Sequence, residues 1–310
     1  MKGKLLILLT VLFLSIACNF QGKKTHTEDM QKPQLPPLDS AVINYQDKQP
    51  FDTLLHLTGE KVSVSDSLLK EISSISFEDN HVVLHKNFQD IIKKFPVGND
   101  EFICIRPYDS TIIRATSDGD YKKIYRLKLQ PNSGTLIVDT SVNRMIFAYS
   151  YYHVFQIMDL EAKTVKTIDF EGGNYKYKFA GIMDAPDPNI LYYTGAFAGN
   201  DYFYLLYWGY SPKLFWDNIY KRWQMAGRGQ YVKPPNYQYD LPNIVEQYDW
   251  NGNPINRYLL EGENVGSGCF VVDEKERRFY LLVSECYKYA PFIVGMECMA
   301  SNESLITYQF

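Results

Sequence analysis

"IVEQYDWNGNPINRYLL", residues Ile244 to Leu260, contains two runs rich in β-branched and aromatic residues joined by Asn251-Gly252. Asn-Gly between two such runs is a strong short-range hairpin signal, because both residues tolerate the positive φ that a tight turn demands. The same shape occurs in "VFQIMDLEAKTVKTIDF", Val154 to Phe170, and superposing Asp159 on Asp249 sets hydrophobic on hydrophobic along most of its length. It recurs more weakly in "IIRATSDGDYKKIYRL" around Gly119, with further turn signals in "FEDNHVV" at Asn80 and "YWGYSPK" at Gly209.

From Asn80 to Gly119, Ala162, Gly209 and Gly252 the steps are 39, 43, 47 and 43 residues. An independent pair agrees: "VDTSVNRMIFA" from Val138 matches "VDEKERRFYLL" from Val272, an offset of 134 residues and close to three such steps. Repeats of about 40 to 50 residues built from short strands predict a β-propeller whose blades are four-stranded sheets. About 260 residues after the N-terminal region, divided by about 44, predict six blades in an all-β fold. No alternation with long helical segments points to a parallel α/β sheet. The chain ends in "SLITYQF", which resembles only the first half of the repeated hairpin, so Phe51 to Leu57 is expected to pair with Leu305 to Tyr308, closing the ring with strands from both chain ends.

The N-terminus carries Lys2 and Lys4 before an apolar run from Leu5 to Ile16. That run has the length of a signal-peptide core and falls short of the roughly twenty residues needed to span a bilayer. Ser15-Ile16-Ala17-Cys18 resembles a bacterial lipobox, in which the cysteine is acylated and becomes the first mature residue. It departs from the pattern in carrying Leu14 one place further out than usual, and ordinary cleavage with Cys18 incidental is the alternative. The expected organisation is a signal peptide at 1–17, a lipid-anchored tether at 18–50 and the propeller at 51–310. The tether assignment rests on Pro33, Pro36, Pro37 and Pro50 and on the scarcity of large apolar residues before Val42. Asn19 after the cysteine, in place of the Asp associated with inner-membrane retention, implies by the same resemblance the outer membrane, facing either the periplasm or the cell surface.

The hairpin "YDWNGNPINRY" followed by "VVDEKERRFYLLV" resembles the blades of TolB-like and NHL-like six-bladed propeller lipoproteins of Gram-negative anaerobes, from about Phe51 to Phe310. The resemblance implies fold more than role. The TolB protein itself is soluble and has a separate N-terminal domain, so its partners do not carry over.

A nucleic-acid partner is disfavoured by a net charge of −4, since phosphate-backbone binding requires clustered positive charge. The five histidines are His26, His56, His81, His85 and His153. His81 and His85 fall on one face of a strand about 13 Å apart, too far to share a metal. No HExxH, GxSxG or Walker motif occurs. No cofactor, metal ligand or catalytic residue is therefore assigned. The rival to a binding module is a hydrolase or lyase with a metal on the propeller axis, held by residues from several blades and invisible to local motifs. The spacing of Cys286 and Cys298 would allow a disulfide contributing about 3 kcal/mol, with free buried cysteine as the alternative.

The stretch that breaks the repeat is the strongest functional lead. Rings crowd the region from Tyr202 to Tyr239, and within it Phe215-Trp216, Ile219-Tyr220 and Trp223 recur at helical spacing before Gly227. Amphipathic rings at such density suit sugar stacking or a protein interface. Trp216, Tyr220 and Trp223 are the expected recognition surface, unless the insertion merely caps the propeller. The expected protein is a lipid-anchored binding or scaffolding module at the outer membrane, its partner a protein or a glycan.

Overall fold

The computed structural model describes residues 35–46, 49–64, 74–78, 81–85, 93–106, 110–129, 133–173, 175, 190–210, 243–261, 266–292 and 295–310, with the backbone alone for 74, 85, 210, 266–269 and 283–303. The described chain is all-β, without a helix. Two short strands come first, β1 (Val42–Asn44) and β2 (Leu54–Lys61), then a hairpin, β3 (Ser74–Glu78) and β4 (His81–His85). Four antiparallel meanders follow. The first is β5 (Phe95–Pro96), β6 (Glu101–Arg106), β7 (Thr111–Thr116) and β8 (Tyr121–Arg126). The second is β9 (Gly134–Asp139), β10 (Arg144–Tyr149), β11 (Val154–Met158) and β12 (Val165–Asp169). The third is β13 (Leu191–Ala198), β14 (Tyr202–Tyr210), β15 (Asn243–Asp249) and β16 (Pro254–Glu261). The fourth has β17 (Gly266–Asp273), β18 (Arg278–Phe292) and β19 (Gly295–Gln309), and it takes β2 as its fourth strand.

The turns form where the two superposed hairpin stretches predicted them. Asp159 Oδ1 accepts the amides of Glu161 and Lys163, and Asp249 Oδ1 those of Asn251 and Asn253, so each carboxylate satisfies the donors of its own turn. Ala162 (φ 51°) and Gly252 (φ 82°) occupy the same left-handed position in the two turns, and at Gly252 a side chain would also strike Ile157. The 134-residue match holds too: Asn143 (φ 53°) closes the β9–β10 turn and Arg277 (φ 54°) the β17–β18 turn, with Asp139 and Asp273 accepting amides in each.

Gly209 does not close a hairpin. It lies inside β14 with φ 63°, and the next described strand begins at Asn243. The distance from Ala162 to Gly252 is therefore one meander lengthened by a long β14–β15 connection, not two repeats. The described strands accordingly make five sheet units, the β3–β4 hairpin and four meanders, where spacing alone predicted six.

The meanders pack face to face. Between the first and second lie Ile103, Ile112, Phe147 and Met158; between the second and third, Phe155, Phe170, Tyr193, Phe203, Tyr248 and Trp250; between the third and fourth, Tyr204, Val245, Tyr258, Phe279 and Tyr308. Such burial of aromatic side chains stabilises each joint by several kcal/mol. First strands of successive units lie beside one another, β9 against β13, β13 against β17 and β17 against β3. A polar bracket at the turns also ties each joint: Arg114 to Glu161, Lys166 Nζ to the Asn251 carbonyl at 2.6 Å, and Glu274, whose carboxylate accepts the amides of Asn200, Asp201 and Tyr202 and the hydroxyl of Tyr204.

The N-terminal segment joins the fold well before Pro50, where the tether was expected to end. Leu35 packs on the core between the second and third meanders, Leu38 is buried within it, and Arg144 Nη2 donates to the Pro36 carbonyl at 2.9 Å. β1 then adds to β12 as a parallel fifth strand, Val42 opposite Thr167 and Asn44 opposite Asp169. These few apolar residues are enough because each meets a groove between sheets already built. The clasp expected between Phe51–Leu57 and Leu305–Tyr308 is not formed by those residues; β19 meets the following residues of β2 instead. Gly59, Glu60 and Lys61 pair antiparallel with Tyr308, Thr307 and Ile306, while Leu54 to Thr58 pair parallel with Arg257 to Glu261 of β16. β2 thus bridges the outer strands of the third and fourth meanders, joining them into one eight-stranded sheet.

Candidate recognition edge between the second and third meanders

His153, at the start of β11, stands at the centre of a ring stack. Its imidazole lies 4.1 Å from Phe170 at 19° and 5.0 Å from Tyr192 at 10°, and Phe170 stacks in turn on Tyr45 at 5.1 Å. Tyr207 of β14 leans on the same imidazole at 5.0 Å. The stack draws on the N-terminal strap, residues 35–46 (Tyr45), the second meander (His153, Phe170) and the third (Tyr192, Tyr207).

Beneath it lies an ion pair. Glu246 of β15, 1% exposed, sits 3.1 Å from Arg257 Nε on β16, and its other oxygen accepts the Tyr248 hydroxyl at 2.9 Å and lies 3.5 Å from that of Tyr193. The Arg257 guanidinium also lies over the Tyr207 ring at 5.0 Å. Burial raises the Glu246 carboxyl above its usual range while Arg257 and the tyrosine hydroxyls pull it back. Burial, reinforced by the positive charge of Arg257, pushes His153 down to about 3, so its ring is neutral in ordinary buffers. Its Nε2 is buried and makes no hydrogen bond. This histidine is used as a flat apolar plate, with Glu246 and Arg257 cancelling each other's charge below it. Tyr45, Tyr192, Tyr207 and Trp208 remain partly exposed above. Tyr210, the last residue of β14, and Asn243, the first of β15, flank residues 211–242 in the sequence.

Trp216, Tyr220 and Trp223 fall within that connection and lie outside the described residues, as does Cys18. Cys286 stands opposite Ser301 in the β18–β19 ladder and Cys298 opposite Tyr289, on backbone whose side chains are outside the described set. Cys104 is a buried free thiol. His56 is exposed and pairs with Glu261 at 2.8 Å, and His81 and His85 terminate β4. Among the described residues no group of three His, Cys, Asp or Glu side chains is placed to hold a metal ion.

Sequence reasoning missed Glu246 and Arg257. A signal was present: under the Asp159–Asp249 superposition Glu246 falls on Gln156, so a polar residue interrupts the apolar side of the strand at the same position in both hairpins. Gln156 bonds Tyr149, Tyr125 and Thr167. The same strand position thus ties tyrosines together in each meander.

No family model matches the chain, and no curated protein matches it. Solved structures resemble it distantly. Over 69% of this chain and 68% of theirs, the nidogen/laminin complex is 12% identical with a TM-score of 0.37. A duf4221 family member from Bacteroides vulgatus is 13% identical over 70% of this chain and 62% of its own, TM-score 0.37. The calcium-binding protein regucalcin from Agrobacterium tumefaciens is 9% identical over 86% and 95%, TM-score 0.30. At these scores none of the three lends this chain a ligand, a reaction or a partner.

Proposed function

We propose that this protein is a propeller-type binding module, lipid-anchored through Cys18 at the outer membrane, which captures a protein or glycan on the aromatic edge between its second and third meanders. The observation that carries the reading is the ring stack of Tyr45, Phe170, His153 and Tyr192 with Tyr207 and Arg257, at the edge from which the ring-rich connection departs. Aromatic side chains with polar tips, preorganised by packing, supply contact area at low entropic cost. The propeller ring itself is read from the four-stranded meanders and the neighbouring first strands, with β2 as the strand that completes the last unit. Five units are favoured over six because Gly209 lies within a strand.

Capture of periplasmic proteins and glycans by the immobilised domain tests the binding reading. Trp216→Ala with Trp223→Ala is expected to lose capture with little change in melting temperature. A large fall in melting temperature with capture retained would show the rings to be core. The rival reading, a hydrolase or lyase with an axial metal, predicts stoichiometric calcium or zinc in purified protein, whereas the binding module is expected to hold neither.

The anchor has its own test. Wild-type protein is expected to incorporate labelled fatty acid and enter the detergent phase, and Cys18→Ala to do neither. Unchanged labelling in the variant would overturn the lipoprotein reading.

A further inference from the structure

The strap is held to the second meander by groups that travel with it. The Ala41 carbonyl accepts the Thr167 amide at 2.8 Å, the Tyr45 amide donates to the Asp169 carbonyl at 2.8 Å, and Ser40 Oγ accepts the Val165 amide at 3.2 Å. The Pro36 carbonyl accepts from Arg144, and Tyr45 stacks on Phe170. The hold is narrow all the same. Within residues 35–46 only Leu38 is fully buried, Val42 is 70% exposed, and the ladder to β12 is three residues long. Backbone ordering charges every one of these residues an entropy that so small a buried area offsets by little. The chain then leaves the strap under strain. Gln46, an exposed residue, adopts φ 48° with its amide turned onto Asn44 Oδ1 at 2.8 Å, a left-handed conformation that its side chain disfavours. Phe51 and β2, which follow, are fixed in their own fold by Tyr248, β16 and β19.

We propose that the strap exchanges between two copies of this chain, each docking residues 35–46 in the other's groove between the second and third meanders. A weakly held strand on a short, strained link is the arrangement that swaps, because the strain at Gln46 is relieved when the link runs straight to a neighbour. The occupant follows from the contacts. A second copy brings the same Pro36, Ser40 and Tyr45, so the exchanged strap remakes each of these bonds with no new complementarity, and reciprocal exchange closes a two-fold dimer. A foreign strand would have to supply them residue by residue. Exchange sets the second copy's Tyr45 on Phe170, so the aromatic edge becomes a site built from two chains. In that consequence the proposal rests on the aromatic-edge reading, but its test reads exchange alone, and loss of capture at that edge leaves exchange intact.

The test mixes two single variants, Val42→Cys and Thr167→Cys, and measures covalent dimer under non-reducing conditions. All proteins carry Cys18→Ala, so that a lipid anchor cannot bring copies together. Positions 42 and 167 are register partners, and residues directly opposite on neighbouring strands lie about 5 Å apart, within reach of a disulfide. More dimer in the mixture than in either variant alone is the expected result. Adding Gln46→Val, which disfavours the left-handed turn and favours an extended link, is expected to raise the yield at least about fivefold. A bond formed only within one chain, in the double variant Val42→Cys with Thr167→Cys, would overturn exchange, as would absence of the bond in both formats. Equal yield when Lys275→Cys, exposed on the fourth meander, replaces Thr167→Cys would reduce the dimer to collision and overturn it as well. Sedimentation velocity needs no engineered cysteine. Enrichment of dimer by Gln46→Val is expected there, and monomer with or without that substitution would overturn the proposal even if a cysteine variant does not fold.

Discussion

Deleting residues 51–61 is expected to collapse the fold, leaving a protein without a cooperative thermal transition, while deleting 19–34 leaves the melting temperature within about 2 °C of wild type. β2 is the only described strand that hydrogen-bonds to both β16 and β19, so its loss uncovers two edges at once. Phe51, which precedes it, is buried beside Tyr248 in the core between the second and third meanders. Losing an aromatic core side chain alone costs about 3–5 kcal/mol, and total stabilities are only about 5–15 kcal/mol. A point substitution probes the same clasp more gently. A side chain at Gly59 would meet Tyr308 at 2.6 Å and Ile306 at 2.7 Å, and Tyr308 is fully buried. Gly59→Val is therefore expected to cost about 1–3 kcal/mol by overpacking, a fall of several degrees in melting temperature. A deletion variant that still melts cooperatively near the wild-type temperature would show the clasp to be dispensable.

What was legible in the sequence, and what was not, follows from the range of the interactions. The hairpins at Asp159 and Asp249 are local: a carboxylate, a few amides and one left-handed residue decide each turn, and all of these are neighbours in sequence. The match between the segments from Val138 and Val272 has the same local origin, since each closes a turn on a left-handed residue, Asn143 or Arg277, that is not a glycine. Gly209 misled because a glycine between aromatic runs is a turn signal only when the chain reverses there, and reversal depends on the partner strand. β14 continues through it to Tyr210, which stands opposite Leu191 of β13, and the next described strand, β15, begins at Asn243. The strap from Leu35 was invisible for a related reason. Its composition is that of a tether, and its order comes from a groove built by residues more than a hundred positions later, such as Arg144 and Thr167. At the candidate edge the ring-dense stretch from Tyr202 supplies Tyr207 and Trp208, both readable as rings in the sequence, whereas His153, Glu246 and Arg257 come together only across two sheets.

His153 gives the second large expected effect. In the folded protein its pKa is about 3, against about 6.5 in the unfolded chain. The depressed value means that the fold favours the neutral ring. Above pH 6.5 neither state binds the proton and stability does not depend on this group. As pH falls below 6.5 the unfolded chain takes up a proton that the folded protein refuses, and stability is lost progressively until about pH 3. One pKa unit corresponds to about 1.4 kcal/mol, so the loss attributable to His153 is about 2 kcal/mol at pH 5. Glu246 works in the opposite sense, because its raised pKa favours proton uptake by the folded state at low pH. The contribution of His153 is therefore isolated by subtraction. In His153→Phe the ring can still stack between Phe170 and Tyr192, and the buried Nε2 that is removed had no hydrogen bond to lose. The variant is expected to match wild type at pH 7.5 and to exceed its stability by about 2 kcal/mol at pH 5, measured by urea unfolding at each pH. Parallel stability curves for the two proteins between pH 7.5 and 5 would mean that water reaches the imidazole, and the stack would then be an open surface instead of a buried plate.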